Sequence, residues 1–294
     1  MFKEDLIKAI EVWKKLTFTY ENDGIFGFKK GDMPELLKPD ELERGSIQHV
    51  HYITLLVAID YMREANQLWQ AGINTFKDHE TKWVFNVTSP NIEDIGLLVK
   101  ALDKHKISKK YNKDAKIWQR ISKSIKEHFN GDMKSFLEVK CQNESEKIYS
   151  LMKAIYKKDF PNLTGDKILP LWIRMMEDVC GLKLTGLNRI PLAVDVHIAR
   201  ATIFSGCLIG NGIKTSIPKI MDDINQIWTK VAINLNHENK FIIDEPLWTL
   251  SKYGCSNYSE KKCSNFDECP IKDLCKAVES RMKVVQGKDG VLVG

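Results

Sequence analysis

The segment DFPNLTGDKILPLWIRMMEDVCG, residues 159–181, constrains the fold more than any other part of the chain. Pro161, Asn162 and Gly165 group turn-forming residues between an amphipathic helix and a helix that is apolar on nearly every side. We therefore expect a helix, a tight hairpin near 160–167 and a second helix. Such a hairpin exposes backbone N–H groups at a helix N-terminus, where an anion such as a nucleic-acid phosphate can bind without base readout.

Helical periodicity also dominates the rest of the chain. Apolar residues recur at helical spacing over 114–129, and the run HYITLLVAIDYMREANQLW (51–69) is apolar almost all round in its first half. The second pattern is typical of a helix buried within a bundle. Two short segments, 82–87 and 241–243, are the candidate strands. The sequence therefore predicts an all-α protein.

A chain of 294 residues is long enough for two packed units. We expect an accessory segment, 1–46, packed on a C-terminal helical lobe, 206–294, with a helical core, 47–205, between them. The net charge of +5 is too small to identify a polyanionic partner by itself. The first residues lack the apolar core of a secretion signal and no transmembrane run is present, which favours a cytoplasmic protein without a membrane partner.

Lys167 follows the turn residues and is expected in the first turn of the next helix, beside apolar surface. The positive end of the helix dipole and the apolar surroundings both disfavour the ammonium form. A neutral amine is a nucleophile that can attack a sugar carbon and form a Schiff base. The alternative interpretation is that Lys167 is one of many solvated lysines.

A second chemical motif lies in IPLAVDVHIARATIFSG, residues 190–206, where Asp195 and His197 interrupt an apolar run. Asp195 stands where the N-cap of a helix would stand, and one interpretation is that it only caps that helix. A capping carboxylate at a cleft can also stabilise positive charge on a sugar and move protons as a base departs. We expect His197 to form structural hydrogen bonds and Arg200 to pair with a carboxylate or a phosphate.

Four of the seven cysteines crowd together near the C-terminus, with the spacing C-x7-C-x5-C-x5-C. These residues are Cys255, Cys263, Cys269 and Cys275. Four thiolates in one short segment can surround a [4Fe–4S] cluster or a tetrahedral zinc ion, and the ligand type alone does not separate the two. Because no export signal is present, we favour a metal site over a disulfide framework.

Positive charge is concentrated over residues 104–126, which contain nine Lys or Arg and a single acid, Asp114. Lysines on one helix are often simply a solvated face. Next to a hairpin that seats phosphates, the same stretch is also a candidate track for a DNA backbone. The contribution of such a track would weaken as the salt concentration rises.

Together, the order and content of these motifs resemble the endonuclease III-like, or HhH-GPD, superfamily of DNA glycosylases. In that family a helix-hairpin-helix of the form L-P-G-x-G-x-K is followed by V-D-x-H, and many members end with a cysteine cluster. The matching residues are Phe160, Pro161, Asn162, Gly165 and Lys167 in the hairpin and Val194, Asp195 and His197 in the second motif. The resemblance covers about residues 47–275, and IPLAVDVHIARAT is similar to the archaeal 8-oxoguanine glycosylase branch.

The resemblance implies a two-lobed helical fold with a four-cysteine metal loop at 255–275 that holds a [4Fe–4S] cluster, or alternatively zinc. It implies a monomeric, nucleoid-associated enzyme of base-excision repair that acts on double-stranded DNA. The substrate would be a damaged or modified base, such as 8-oxoguanine or an oxidised pyrimidine. Lys167 takes the place of the lysine of the bifunctional members, which are also AP lyases. Asp195 takes the place of the aspartate shared across the superfamily.

Further site residues are expected from the same resemblance. The DNA-binding residues would be Asn162, Gly165, His197 and Arg200. Four side chains are suited to stack on an everted base or to bond its edge. These are Gln48, Tyr61, Trp69 and Trp172, each of which is also a common kind of core residue.

Two other functions stay open from the sequence. In the first, the glycosylase is monofunctional, so that Lys167 is structural and Asp195 activates water. In the second, a non-catalytic helix-hairpin-helix protein binds DNA without excising a base.

Overall fold

A computed structural model describes residues 2–61, 63–210, 214–259, 262–263, 265–276 and 291–292. The chain divides into two compact units. Unit 1 comprises Met1–Asp32 and Pro191–Gly294, and unit 2 comprises Met33–Ile190. The structure therefore divides the chain after positions 32 and 190, and the sequence analysis predicted boundaries after positions 46 and 205.

The described residues are mostly helical, which confirms the predicted all-α class. The α-helices are α1 Leu6–Asn22, α2 Ile47–Val57, α3 Ala65–Lys77, α4 Ile95–Lys104, α5 Tyr111–Phe129, α6 Met133–Ser135, α7 Ser145–Ala154, α8 Ile168–Asp178, α9 Val196–Phe204, α10 Ile217–Asn234 and α11 Asp244–Tyr253. No helix within these described ranges combines the length and the apolar character needed to cross a membrane.

Strands in the described residues are limited to two-residue antiparallel pairs, all in unit 1. The pairs are β1 Lys3–Glu4 with β2 Leu208–Ile209, β3 Lys214–Thr215 with β6 Val291–Leu292, and β4 Tyr258–Ser259 with β5 Lys262–Cys263. Strands this short add local links to the helical framework, because a two-stranded ribbon is at best marginally stable alone.

Helix α2 lies at the centre of unit 2, where residues 49–57 are all buried. Trp172 of α8 donates its indole N–H to the Thr54 hydroxyl of α2 at 2.9 Å. Trp118 of α5 similarly donates to the backbone carbonyl of Val84 at 2.8 Å. Both of these tryptophan rings are therefore buried with the indole N–H hydrogen-bonded, as is usual for a buried tryptophan.

The helix expected within 51–69 is interrupted, because α2 ends at Val57 and α3 begins at Ala65. The side chain of Asn162 donates to the backbone carbonyl of Ala58 at 3.2 Å. In a longer helix this carbonyl would bond the next turn of the same helix. A long-range contact therefore accompanies the break, and periodicity within 51–69 carries no signal for it.

The prediction of strands at 82–87 and 241–243 is also wrong. The first segment includes the 3₁₀ helix Lys82–Phe85, and the second lies within the 3₁₀ helix Lys240–Ile243. Asn239 caps the second of these helices, because its side chain accepts from the backbone N–H of Phe241 at 2.8 Å. Short apolar runs do not distinguish a strand from a buried turn of helix.

The N-terminal helix α1 belongs to the core of unit 1. Asp5 caps it by accepting from the Lys8 backbone N–H at 3.1 Å. The rings of Trp13 on α1 and Trp228 on α10 are 6.3 Å apart, and Trp228 donates to the Thr202 hydroxyl of α9 at 3.0 Å. Residues from both ends of the chain therefore form one apolar core.

Candidate catalytic and DNA-binding residues

The hairpin in unit 2 occupies the turns between α7 and α8. Asn162 adopts a left-handed conformation with φ of 64°, and its carbonyl accepts from the Gly165 N–H at 2.9 Å. Asparagine tolerates this conformation better than most residues with a side chain. It can therefore serve at the turn position where the family motif has a glycine.

Lys167 is the N-cap residue of α8 and is half-buried. The side chain of Lys167 does not cap the helix; instead the Gly165 carbonyl accepts from the Leu169 N–H at 3.0 Å, and the carbonyl of Lys167 accepts from the Leu171 N–H at 3.4 Å. The neighbouring residue, Asp166, forms an ion pair with Lys153 at 2.6 Å. The amine is thus carried at the head of a helix whose next residues are mostly buried.

Asp195 is the N-cap residue of α9 in unit 1. Its Oδ1 accepts from the backbone N–H of His197 at 2.8 Å and of Ile198 at 3.0 Å. This is the capping position expected from the sequence. The half-buried carboxylate is held by two backbone donors, so its position is fixed relative to the helix.

Ser251 on α11 joins the two polar residues that follow Asp195. Its fully buried hydroxyl lies 3.2 Å from His197 Nδ1 and accepts from Arg200 Nη1 at 3.1 Å. Burial lowers the pKa of Arg200, whereas the charges of Cys255 and Asp195 raise it. Arg200 is only 7% exposed, so its guanidinium is a buried cation within unit 1. Its pairing with a phosphate of DNA stays a prediction.

The three scattered cysteines are buried, whereas the four that crowd together near the C-terminus are half-buried. Burial raises the pKa of Cys255 most strongly, and charges on Cys269, Cys275 and Cys263 raise it further. The four predicted ligands therefore lie within electrostatic reach of one another. Nevertheless, no three His, Cys, Asp or Glu side chains in the described part of the chain are grouped as an ion-binding site.

The donor set of the cysteine loop fits the predicted cluster chemically. Sulfur is the ligand type of iron–sulfur clusters and of structural zinc sites. Four thiolates close together repel one another, and a metal centre would remove this repulsion by neutralising their charge. The metal site stays a prediction.

The four expected base-pocket residues have different surroundings in unit 2. Trp69 and Trp172 are fully buried in the core, so neither ring presents a face to a base in this structure. Gln48 is exposed on α2. Tyr61 is half-buried and donates its hydroxyl to a carboxylate oxygen of Asp114.

Sequence reasoning missed the roles of Asp114 and Ser251. Both side chains are fully buried, and both bond residues that the sequence had singled out. The one available signal was that Asp114 is the single acid in a strongly basic stretch. Ser251 gave no signal, because a serine in a helix is most often solvent-exposed.

The chain matches no protein-family model, and no curated protein is significantly similar to it. The resemblance to DNA glycosylases therefore rests on the sequence motifs alone.

Proposed function

We propose that the protein is a DNA glycosylase that removes a modified base from duplex DNA and forms a Schiff base through Lys167. The observation that carries the proposal is the hairpin: a turn with left-handed Asn162 leads directly to a half-buried lysine at the head of α8. The positive end of the helix dipole at the start of α8 favours an anion such as a phosphate. An amine at the same place is within reach of the sugar that such a phosphate carries.

In the proposed reaction the neutral amine of Lys167 attacks C1′ of the target nucleotide. The glycosidic bond breaks, and the base leaves with the bonding electrons and takes up a proton. The attached nitrogen then gives up one of its two protons, and its lone pair forms the C1′=N bond while the C1′–O4′ bond breaks and O4′ takes up a proton. The product is an iminium ion, which keeps one N–H and joins Lys167 to C1′. Loss of a C2′ proton then breaks the C3′–O bond by β-elimination, which accounts for the AP lyase activity.

Asp195 would act where positive charge develops on the sugar. A carboxylate fixed in advance stabilises such charge without a reorganisation cost, and it can also accept the proton of the attacking amine. The two backbone bonds to Asp195 Oδ1 provide this fixed position.

Cys255, Cys263, Cys269 and Cys275 are the residues that would hold the [4Fe–4S] cluster. When bound, the cluster would supply a structural cross-link of the loop, and no step of base removal depends on it. Visible absorbance together with iron in the purified protein is the expected result. A colourless, zinc-loaded protein would favour the zinc alternative.

The substrate class is tested by excision from duplexes that each carry one lesion, including 8-oxoguanine and oxidised pyrimidines. We expect the wild-type protein to excise at least one of them and Asp195→Asn to be slower by about 100-fold or more. Asp94→Asn is the matched control, because Asp94 caps α4 with the same pair of backbone bonds, at 2.9 and 3.0 Å. The proposal fails if the wild type excises nothing or if Asp195→Asn is as active as the control.

A further inference from the structure

Unit 2 contains a groove of about 490 Å³ beside the first turns of α5. Its lining residues are Asn112, Lys113, Lys116, Ile117 and Pro161. Pro161 belongs to the hairpin, so the groove extends from the hairpin turn to the most basic segment of the chain. Two of the five lining residues are cationic, and Ile117 and Pro161 add apolar surface.

Seven of the nine cations of the 104–126 stretch show a contrast in their ion pairing. Four of them form ion pairs: Lys104 with Asp78 and Glu80, Lys106 with Asp103, Arg120 with Asp159, and Lys123 with Glu93. In contrast, no acidic side chain within the described ranges pairs with Lys110, Lys113 or Lys116. Two of these three lysines, Lys113 and Lys116, line the groove and give it uncompensated positive charge.

Asp114 presents no carboxylate oxygen at the surface, because it is fully buried. Its carboxylate accepts from the backbone N–H groups of Lys109 and Lys110, both at 2.7 Å. It also accepts from the Ser108 hydroxyl at 3.2 Å and from the hydroxyl of Tyr61. The one acid of the stretch thus fixes the loop that carries the lysines.

The aromatic ring of Tyr61 lies close to the ammonium groups of two of these lysines. The Nζ atoms of Lys110 and Lys113 lie 5.0 and 5.1 Å from the centre of its ring, which is the range of cation–π attraction. Burial raises the pKa of Tyr61, and the hydrogen bond to Asp114 raises it further, so the hydroxyl stays a donor. The lysines are therefore held in place before an anion arrives, which lowers the entropic cost of binding.

We infer that this groove binds consecutive phosphates of one DNA strand that continues into the hairpin. The inference rests on the proposed function for the choice of DNA as the polyanion. Lys113 and Lys116 are separated by about 4.5 Å along the helix axis at 1.5 Å per residue. Successive phosphates of a strand advance by about 3.4 Å along the duplex. The role of Tyr61 in this account is to support lysines, in place of the predicted stacking on a base.

The test is the salt dependence of binding to a short, undamaged duplex, measured by fluorescence anisotropy with the full chain. The test variant is Lys113→Gln/Lys116→Gln. The matched control is Lys106→Gln/Lys123→Gln, which removes the same charge from two ion-paired lysines. Each phosphate contact contributes about 0.9 to the slope of log affinity against log salt, so we expect the groove variant to lower the slope by about 2. The control should keep the wild-type slope.

Equal slopes for the two double variants would overturn the inference. Duplex RNA measured in parallel would also overturn it if only RNA binding responded to the groove variant. Tyr61→Phe keeps the ring and should bind as the wild type, whereas Tyr61→Leu should bind more weakly. Equal binding by these two single variants would contradict the supporting role of Tyr61.

The outcome is separable from that of the proposed function, because the duplex carries no lesion. Excision by the wild type together with equal slopes would refute the groove alone. A lower slope for the groove variant together with no excision of any lesion would refute the glycosylase alone.

Discussion

Helices α8 and α9 begin in opposite ways, and each start carries one residue of the proposed catalytic pair. Asp195 caps α9 through two backbone bonds, whereas α8 begins at Lys167 without a capping side chain. A helix N-terminus favours a carboxylate and disfavours a cation. Folding alone therefore explains an aspartate at position 195, but it does not explain a lysine at position 167. Lys167 is for this reason the more informative of the two about function.

The start of α2 provides a third case, in which both partners are structural. The Ser46 hydroxyl accepts from the His49 backbone N–H at 3.1 Å, and His49 Nδ1 accepts from the Gly45 N–H at 3.1 Å. The arrangement differs from a capping box, because His49 accepts from Gly45, the residue before the N-cap, and the N–H of Ser46 itself bonds the Glu43 carbonyl at 3.2 Å. The three helix starts thus differ in their caps, because Ser46 and Asp195 accept from backbone N–H groups of α2 and α9, whereas Lys167 does not cap α8.

The largest expected effect is a decrease in the free energy of unfolding at low pH, caused by His49 at the start of α2. Burial, followed by the charges of Lys38 and Arg44, lowers the pKa of His49 to about 4. In the unfolded chain His49 binds a proton near its ordinary pKa of 6.5. The free energy of unfolding therefore has its full value above pH 6.5 and decreases as the pH falls towards 4, because only the unfolded chain is protonated in this range. At about 1.4 kcal/mol per pKa unit, the loss amounts to roughly 3 kcal/mol.

Urea unfolding of His49→Gln between pH 7 and pH 4 checks this expectation. Glutamine keeps an acceptor at the same helix position without titrating, so the decline of the unfolding free energy should be shallower than in the wild type. His51, with a pKa also lowered to about 4, maintains part of the decline. His79→Gln, at an exposed position, is the control and should follow the wild-type curve. Parallel curves for His49→Gln and the wild type would show that the folded protein protonates His49 normally.

The second prediction separates the cap of α9 from its charge. Asp195→Ala should lower the unfolding free energy by about 1 kcal/mol, because two helix donors lose their acceptor. Asp195→Asn keeps an acceptor and should retain most of the wild-type stability. Thermal unfolding of both variants checks this, with the same pair of substitutions at Asp94 as the reference cap. Equal destabilisation by Ala and Asn at position 195 would show that the carboxylate charge matters more than its hydrogen bonds.

The smallest expected effect is at the start of α8. Lys167→Ala should change the unfolding free energy by less than about 0.5 kcal/mol, because no capping bond is lost and an unfavourable charge leaves the helix start. The same measurement on Lys183→Ala, an exposed lysine of unit 2, gives the reference. A loss of more than about 1 kcal/mol for Lys167→Ala would assign Lys167 to the fold and reduce the contrast between the two helix starts.

Local patterns were enough to predict some of these features. The apolar stripe of α5 is buried at every expected position, namely Ile117, Trp118, Ile121, Ile125 and Phe129. Asp195 was identified as a cap because capping involves only the next few residues. Helical spacing and cap position are properties of short segments, so the sequence contains them directly.

Features that depend on long-range contacts were not predictable. The break near Ala58 involves Asn162, which lies about a hundred positions further along the chain. The burial of Arg200 depends on Ser251 of another helix, and the role of Asp114 depends on Tyr61. From the sequence alone, each of these polar residues would be predicted at the surface, because its buried partner is distant in the sequence.

Borohydride trapping on a lesion duplex tests the central claim most directly. If Lys167 forms the Schiff base, the wild type and Lys183→Ala yield a covalent protein–DNA adduct, whereas Lys167→Ala yields none. An adduct of wild-type amount with Lys167→Ala would contradict the assignment of the nucleophile. Base excision by the wild type without any adduct would show a monofunctional enzyme.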